Sequence, residues 1–241
     1  MDCRPRRLVT RAWLILVFLA GLPAIADAEE FYFVLVFGSQ SHPKQLRYTH
    51  TWATFVRAVG EGPDRNTYQL DAHTISWYPA SLDVRVWALE PERGVNLTLE
   101  QTLAVVYANG EHVTMWGPFV ANARVYNRSV EVYHILNSGR VQYRAISTRA
   151  DPLISDCIHA VAAVDPDFGR DHYPLIRIGL PASRFIAREI VTRSVENQGI
   201  NQSLYDNSWL IPRLGLNAYP IHIVPPWEIP LRRCFFCLCG P

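Results

Sequence analysis

The stretch Ser155-Asp156-Cys157-Ile158-His159-Ala160-Val161 decides how this 241-residue chain is read. It holds the only cysteine between the N-terminal leader and the last eight residues. Asp151, Pro152, Ser155 and Asp156 precede it, and these residue types favour turns and helix starts. An apolar run from 158 to 164, broken only by His159, follows. This pattern predicts a helix with Cys157 in its first turn. There, unpaired backbone N–H groups and the positive end of the helix dipole favour a thiolate. A thiolate so placed is a nucleophile in need of a base.

Two histidines upstream are the candidates for that base. His50 stands near the start of an apolar segment, residues 49–59, read as a strand. His73 lies in residues 68–78, read as the next strand, with Pro79 ending it through its missing N–H. If the two strands pair, one histidine meets the Cys157 sulfur and the other orients its ring, the arrangement that cysteine catalysis needs. Each residue also has a plain structural use, as a satisfied core histidine or a small buried thiol.

Order and context resemble the permuted NlpC branch of the papain-like fold, which includes lecithin:retinol acyltransferase and its relatives. In that family a His opens one strand, a second polar residue follows on the next, and the nucleophilic Cys comes later in a motif like Asn-Cys-x-His-Phe-Val. This chain offers His50, His73 and then Asp156-Cys157-Ile158-His159-Ala160-Val161, a similarity covering roughly residues 50–164. It departs by Asp156 for Asn and Ala160 for Phe, and an anionic Asp156 raises a neighbouring thiol's pKa unless turned away or paired.

The resemblance implies an α+β, papain-like, circularly permuted NlpC-type domain, a mainly antiparallel sheet with packed helices. It implies a hydrolase or acyltransferase acting on amide or ester bonds, with Cys157 attacking the carbonyl, His50 as base and His73 holding the imidazole. The expected partner is an envelope peptide, glycan or acyl-lipid substrate, and no cofactor or metal is expected. The Cys157 backbone N–H is the expected oxyanion donor, with Tyr48 nominated as the second. A non-catalytic binding domain of the same fold is the alternative. His159, two positions along the helix, is expected to point away from the sulfur.

The remaining chain sets the context. Arg4, Arg6, Arg7 and Arg11, an apolar core over 13–25 and Ala26-Asp27-Ala28 read as a secretory leader, residues 1–28. Its removal leaves 213 residues and takes the formal charge from +1 to −1, which argues against nucleic acid as partner. The mature chain is expected to be exported, periplasmic or extracellular, with no further membrane span. One domain is expected over residues 29–224, with residues 225–241 as a proline- and cysteine-containing tail; the oligomeric state is open.

Residues 31–37 and 84–89 read as strands, a helix starts at a Thr98 cap, and a longer helix runs over about 119–136. Residues 141–146 read as a strand and a last helix begins at Ala182 or Ser183. A competing use of His42, His50, His73 and Cys157 is zinc ligation, although none of the usual short spacings appears. Cys234-x-x-Cys237-x-Cys239 is a metal or redox cluster, a terminal disulfide, or three incidental cysteines. Trp52, Trp77, Trp87 and Trp116 read as core by default or as a cleft lining.

Overall fold

The computed structural model describes residues 28–147, 151–164, 178–196, 200–201 and 205–229. The expected leader up to residue 27 and the three terminal cysteines lie outside the described residues.

Strand β1 (Glu29–Ser41) is the spine of the main sheet. Its continuous apolar run has a simple cause: both of its faces are buried. Phe33, Leu35 and Phe37 point into one core, and Val34 and Val36 into the other. Strand β2 (Thr49–Gly60) pairs antiparallel with β1 over its whole length, with Ser39 opposite His50. On its far edge β2 pairs with β3 (Gln69–Ile75). Strand β4 (Trp77–Pro79) follows after a single residue and belongs to a second sheet.

The expected strand over 68–78 therefore divides at Ser76. The Asn96 side chain stands in for a strand partner there: its Oδ1 accepts from Ser76 N at 2.8 Å and its Nδ2 donates to the Thr74 carbonyl at 2.8 Å. The expected strand over 84–89 is not formed; Trp87 and Leu89 are 79% and 85% exposed. The pairing falls instead to β5 (Glu92–Asn96), where Gly94 lets the Trp77 indole lie where a Cβ would stand.

Helix α1 (Leu99–Ala108) starts where expected, with a full capping box between Thr98 and Gln101. Strand β6 (Glu111–Ala121) pairs with the other edge of β1. It takes in Phe119, so helix α2 (Ala123–Asn137) begins later than expected, capped by Asn122. Of residues 141–146 only β7 (Gln142–Tyr143) is strand, paired with β5 and, in parallel, with β8 (Ile154–Ser155). Helix α3 (Cys157–Ala162) starts at the cysteine, as expected. Helix α4 (Leu180–Glu196) starts two or three residues before the expected Ala182 or Ser183. Strand β9 (Ile200–Asn201), helix α5 (Leu210–Arg213) and strand β10 (His222–Val224) complete the elements, with β9 antiparallel and β10 parallel to β6.

The result is an α+β fold with mixed sheets and helices on both faces of the larger one. Helices α2, α3 and α4 cover the Val34–Phe55 face, while α1 and α5 cover the Phe37–Trp52 face. Packing continues past the expected boundary at 224: Pro226 is buried and Ile229, 4% exposed, joins the first core. Among the described residues no helix is long and apolar enough to cross a membrane.

Candidate active site

Helix α3 carries its cysteine on a heavily bonded cap. Asp156, the N-cap, accepts from His159 N at 2.8 Å through Oδ1. Its Oδ2 takes His159 Nδ1 at 2.6 Å, Ser147 Oγ at 2.7 Å and Ser147 N at 3.2 Å. Burial alone would raise this carboxyl, but the bonds from His159 and Ser147 outweigh it and hold Asp156 below the usual carboxylate range.

Cys157 is half-buried at the first position of the helix. The backbone N–H groups of Thr51, Ile158 and Cys157 itself favour its thiolate. Burial first, and the Asp156 charge second, win against them and push the thiol up to about 12. The magnitudes explain why. A helix terminus supplies at most about 2 kcal/mol, roughly 1.5 pH units, against a buried anion beside a second anion. The expected activation by the helix start has the right sign and is outweighed.

His50 is 2% exposed on β2, its ring 3.8 Å from that of Tyr78 and 5.5 Å from that of Trp52, centroid to centroid. Burial lowers its pKa to about 3, so the imidazole is neutral at any ordinary pH. Its Nε2 lies 3.0 Å from Ser76 Oγ. Thr102 Oγ1 lies 2.7 Å from Ser76 Oγ and 2.7 Å from the Thr98 carbonyl oxygen.

His73 was expected at His50's ring, and its hydrogen bond goes elsewhere. It pairs across the sheet with Phe55, five residues along β2 from His50. Its Nε2 lies 2.8 Å from Ser129 Oγ on α2, and Phe55, Tyr126 and Tyr133 pack around it. Burial lowers its pKa to about 4. The group on His50 is Ser76, which sequence reasoning passed over because a serine inside an assumed strand carries no signal.

His50 and Cys157, 107 positions apart, line one cavity of about 60 Å³. Asp156, His159, Thr51 and Tyr143 share that lining, and Leu46, Val84, Val86 and Ile158 supply apolar wall. The space suits a few waters or a small carbonyl group. Tyr143 is buried, and its phenol is pushed well above its ordinary value by that burial, then by the Cys157 and Asp156 charges. It is thus a protonated donor near the sulfur, from a segment without a motif. Tyr48, nominated from sequence, is not part of this lining; its ring lies under the Arg47 guanidinium at 4.9 Å. His159 lines the cavity too, anchored through Nδ1.

Among the described residues no group of three or more His, Cys, Asp or Glu side chains is gathered to hold a metal ion. Comparisons with family models, curated proteins and solved structures find no match. The site therefore rests on its own geometry.

Proposed function

We propose that the protein is an exported thiol hydrolase or acyltransferase of the permuted NlpC type, acting on amide or ester bonds of envelope peptides or lipids. One observation carries this reading: Cys157 at a helix start and a ring-anchored, neutral His50 share the walls of one cavity. In the reaction Cys157 Sγ bonds to the carbonyl carbon as its proton passes to the His50 imidazole. The Cys157 N–H is the oxyanion donor of this reading, and the protonated Tyr143 in the same cavity wall is its candidate second donor. Collapse breaks the bond to the leaving alcohol or amine, which takes the proton from His50. Water or an acceptor nucleophile then attacks the thioester and restores the thiol.

The pKa values, about 12 for the thiol and about 3 for the imidazole, set the timing of proton transfer. Forming the separated ions would cost about 12 kcal/mol, against a total barrier of about 16 kcal/mol for ten turnovers per second. Even two opposite charges in contact, at about 4 Å, would return only about 4 kcal/mol at an effective dielectric of 20. A resting ion pair is excluded on those magnitudes, and transfer accompanies attack.

The raised thiol pKa also favours the second reading, a non-catalytic domain of this fold that binds an envelope glycan, peptide or lipid. Incubation with p-nitrophenyl esters, followed by intact-mass and peptide mapping, separates the two. Acyl groups on Cys157, absent in Cys157→Ser and slowed in His50→Ala, are expected for the enzyme. An unmodified Cys157 that alkylates only after unfolding overturns it in favour of the binding domain.

A further inference from the structure

A second cavity, of about 710 Å³, lies between helix α4 and the β10 edge of the main sheet. It shares no lining residue with the Cys157 cavity. The parallel pairing of β10 with β6 sets Val224 beside Trp116 and His222 beside Thr114, and all four line the space. Phe185 of α4 and Ile229 add apolar wall. Charge sets the cavity apart from a plain apolar groove. Arg184 and Arg188 both line it, one turn apart on α4, a spacing at which like charges weaken a helix. Arg188 Cζ stands over the Phe185 ring, 5.7 Å from its centroid. Glu228, on the turn Pro226–Glu228, lines the same space. The Arg184 side chain makes no hydrogen bond or ion pair among the described residues, and neither does that of Glu228. Two guanidinium groups and one carboxylate therefore share the cavity without closing on each other, and the positive charge is in excess.

A space of this volume falls in the range of small-molecule sites, and an apolar wall with a few polar groups is their usual lining. A guanidinium fork matches a carboxylate or phosphate with two parallel hydrogen bonds. We propose that this cavity binds a small amphipathic anion, a carboxylate or phosphate head on a short apolar body. Arg184 and Arg188 take the head, and Trp116, Phe185, Val224 and Ile229 take the body. The Glu228 carboxylate disfavours a second anionic group on the ligand, so the site selects a single charged head. The proposal does not depend on the thiol-enzyme reading, because no group of the Cys157 cavity enters it.

The test titrates full-length protein with octanoate, octyl phosphate and octanol by calorimetry. Nitrogen-15 NMR of the Trp116 indole N–H, assigned by its loss in Trp116→Phe, reports where each probe binds. Both anions are expected to bind and to shift that signal, with octanol weaker by about tenfold. Arg184 is exposed, so Arg184→Gln is expected to fold; it should weaken both anions about tenfold and leave octanol unchanged. Arg140→Gln removes an equal charge from an exposed position outside the cavity and should change neither. The tighter of the two anions identifies the head as carboxylate or phosphate. Octanol binding as tightly as the anions overturns the proposal, as does anion binding that leaves the Trp116 signal in place or ignores Arg184→Gln. Failure of both anions to bind overturns it too. Acylation of Cys157 enters none of these readouts, so the site and the enzyme reading fail separately.

Discussion

Acid should weaken this fold through His50 by an amount that burial sets. The unfolded chain titrates this imidazole near 6.5, whereas the folded protein holds it to about 3. As pH falls below 6.5 the unfolded state takes up a proton that the native state refuses, so stability is full above that pH and declines toward pH 3. Between pH 7 and pH 5 the difference integrates to about 2 kcal/mol, roughly thirtyfold in the folding constant. That is a sizeable share of an ordinary domain's 5–15 kcal/mol.

Urea unfolding of wild type and His50→Gln at pH 7 and pH 5 measures it. The substitution shifts absolute stability at both pH values, but the wild type should lose about 2 kcal/mol more than the variant on acidification. His73 and the carboxylates are common to both proteins and cancel in the comparison. Equal losses in the two proteins would mean that His50 protonates in the folded state, and the neutral thiol–imidazole couple would fall with it.

Asp156→Asn keeps a capping oxygen for His159 N–H but removes the charge beside the sulfur. Iodoacetamide should then label Cys157 faster at pH 8, while weakening the hydrogen bonds that the Asp156 carboxylate accepts from Ser147 and His159 costs about 1.5–3 kcal/mol in urea unfolding. Gly38→Ala drives a Cβ into Ser183, whose hydroxyl bonds Thr51 Oγ1 at 2.7 Å. A loss of about 1–3 kcal/mol is expected by denaturation. Trp52→Ala empties the stack on Phe37, centroids 5.2 Å apart, and should cost about 3–5 kcal/mol with the same readout.

The strongest signals in the sequence were those a short segment settles by itself. The turn and cap residues before Cys157 marked the start of α3, and the Thr98 cap marked that of α1. The apolar run of β1 marked a strand buried on both faces. Features that depend on remote partners were not legible. The break at Ser76 is imposed by Asn96, twenty residues on, and it moved the chain into a second sheet. The same break gave His50 a serine partner and left His73 to Ser129. Residues 84–89 looked like a strand, but the pairing with β4 is made by β5 instead. Burial of Cys157 is likewise a tertiary property. The first turn of a helix announces a stabilised thiolate, and only the surrounding walls reverse it.

The central claim is that a neutral Cys157 thiol is deprotonated by neutral His50 during attack on a carbonyl. It is tested most directly by the rate of Cys157 acylation by a p-nitrophenyl ester from pH 6 to pH 9, in H2O and D2O, for wild type and His50→Ala. The account predicts a nearly flat wild-type profile, because neither group titrates in that range, a slower reaction in D2O, and a marked loss in His50→Ala. A rate that climbs about tenfold per pH unit, equal in both solvents and indifferent to His50, would mean reaction through free thiolate alone and would contradict it.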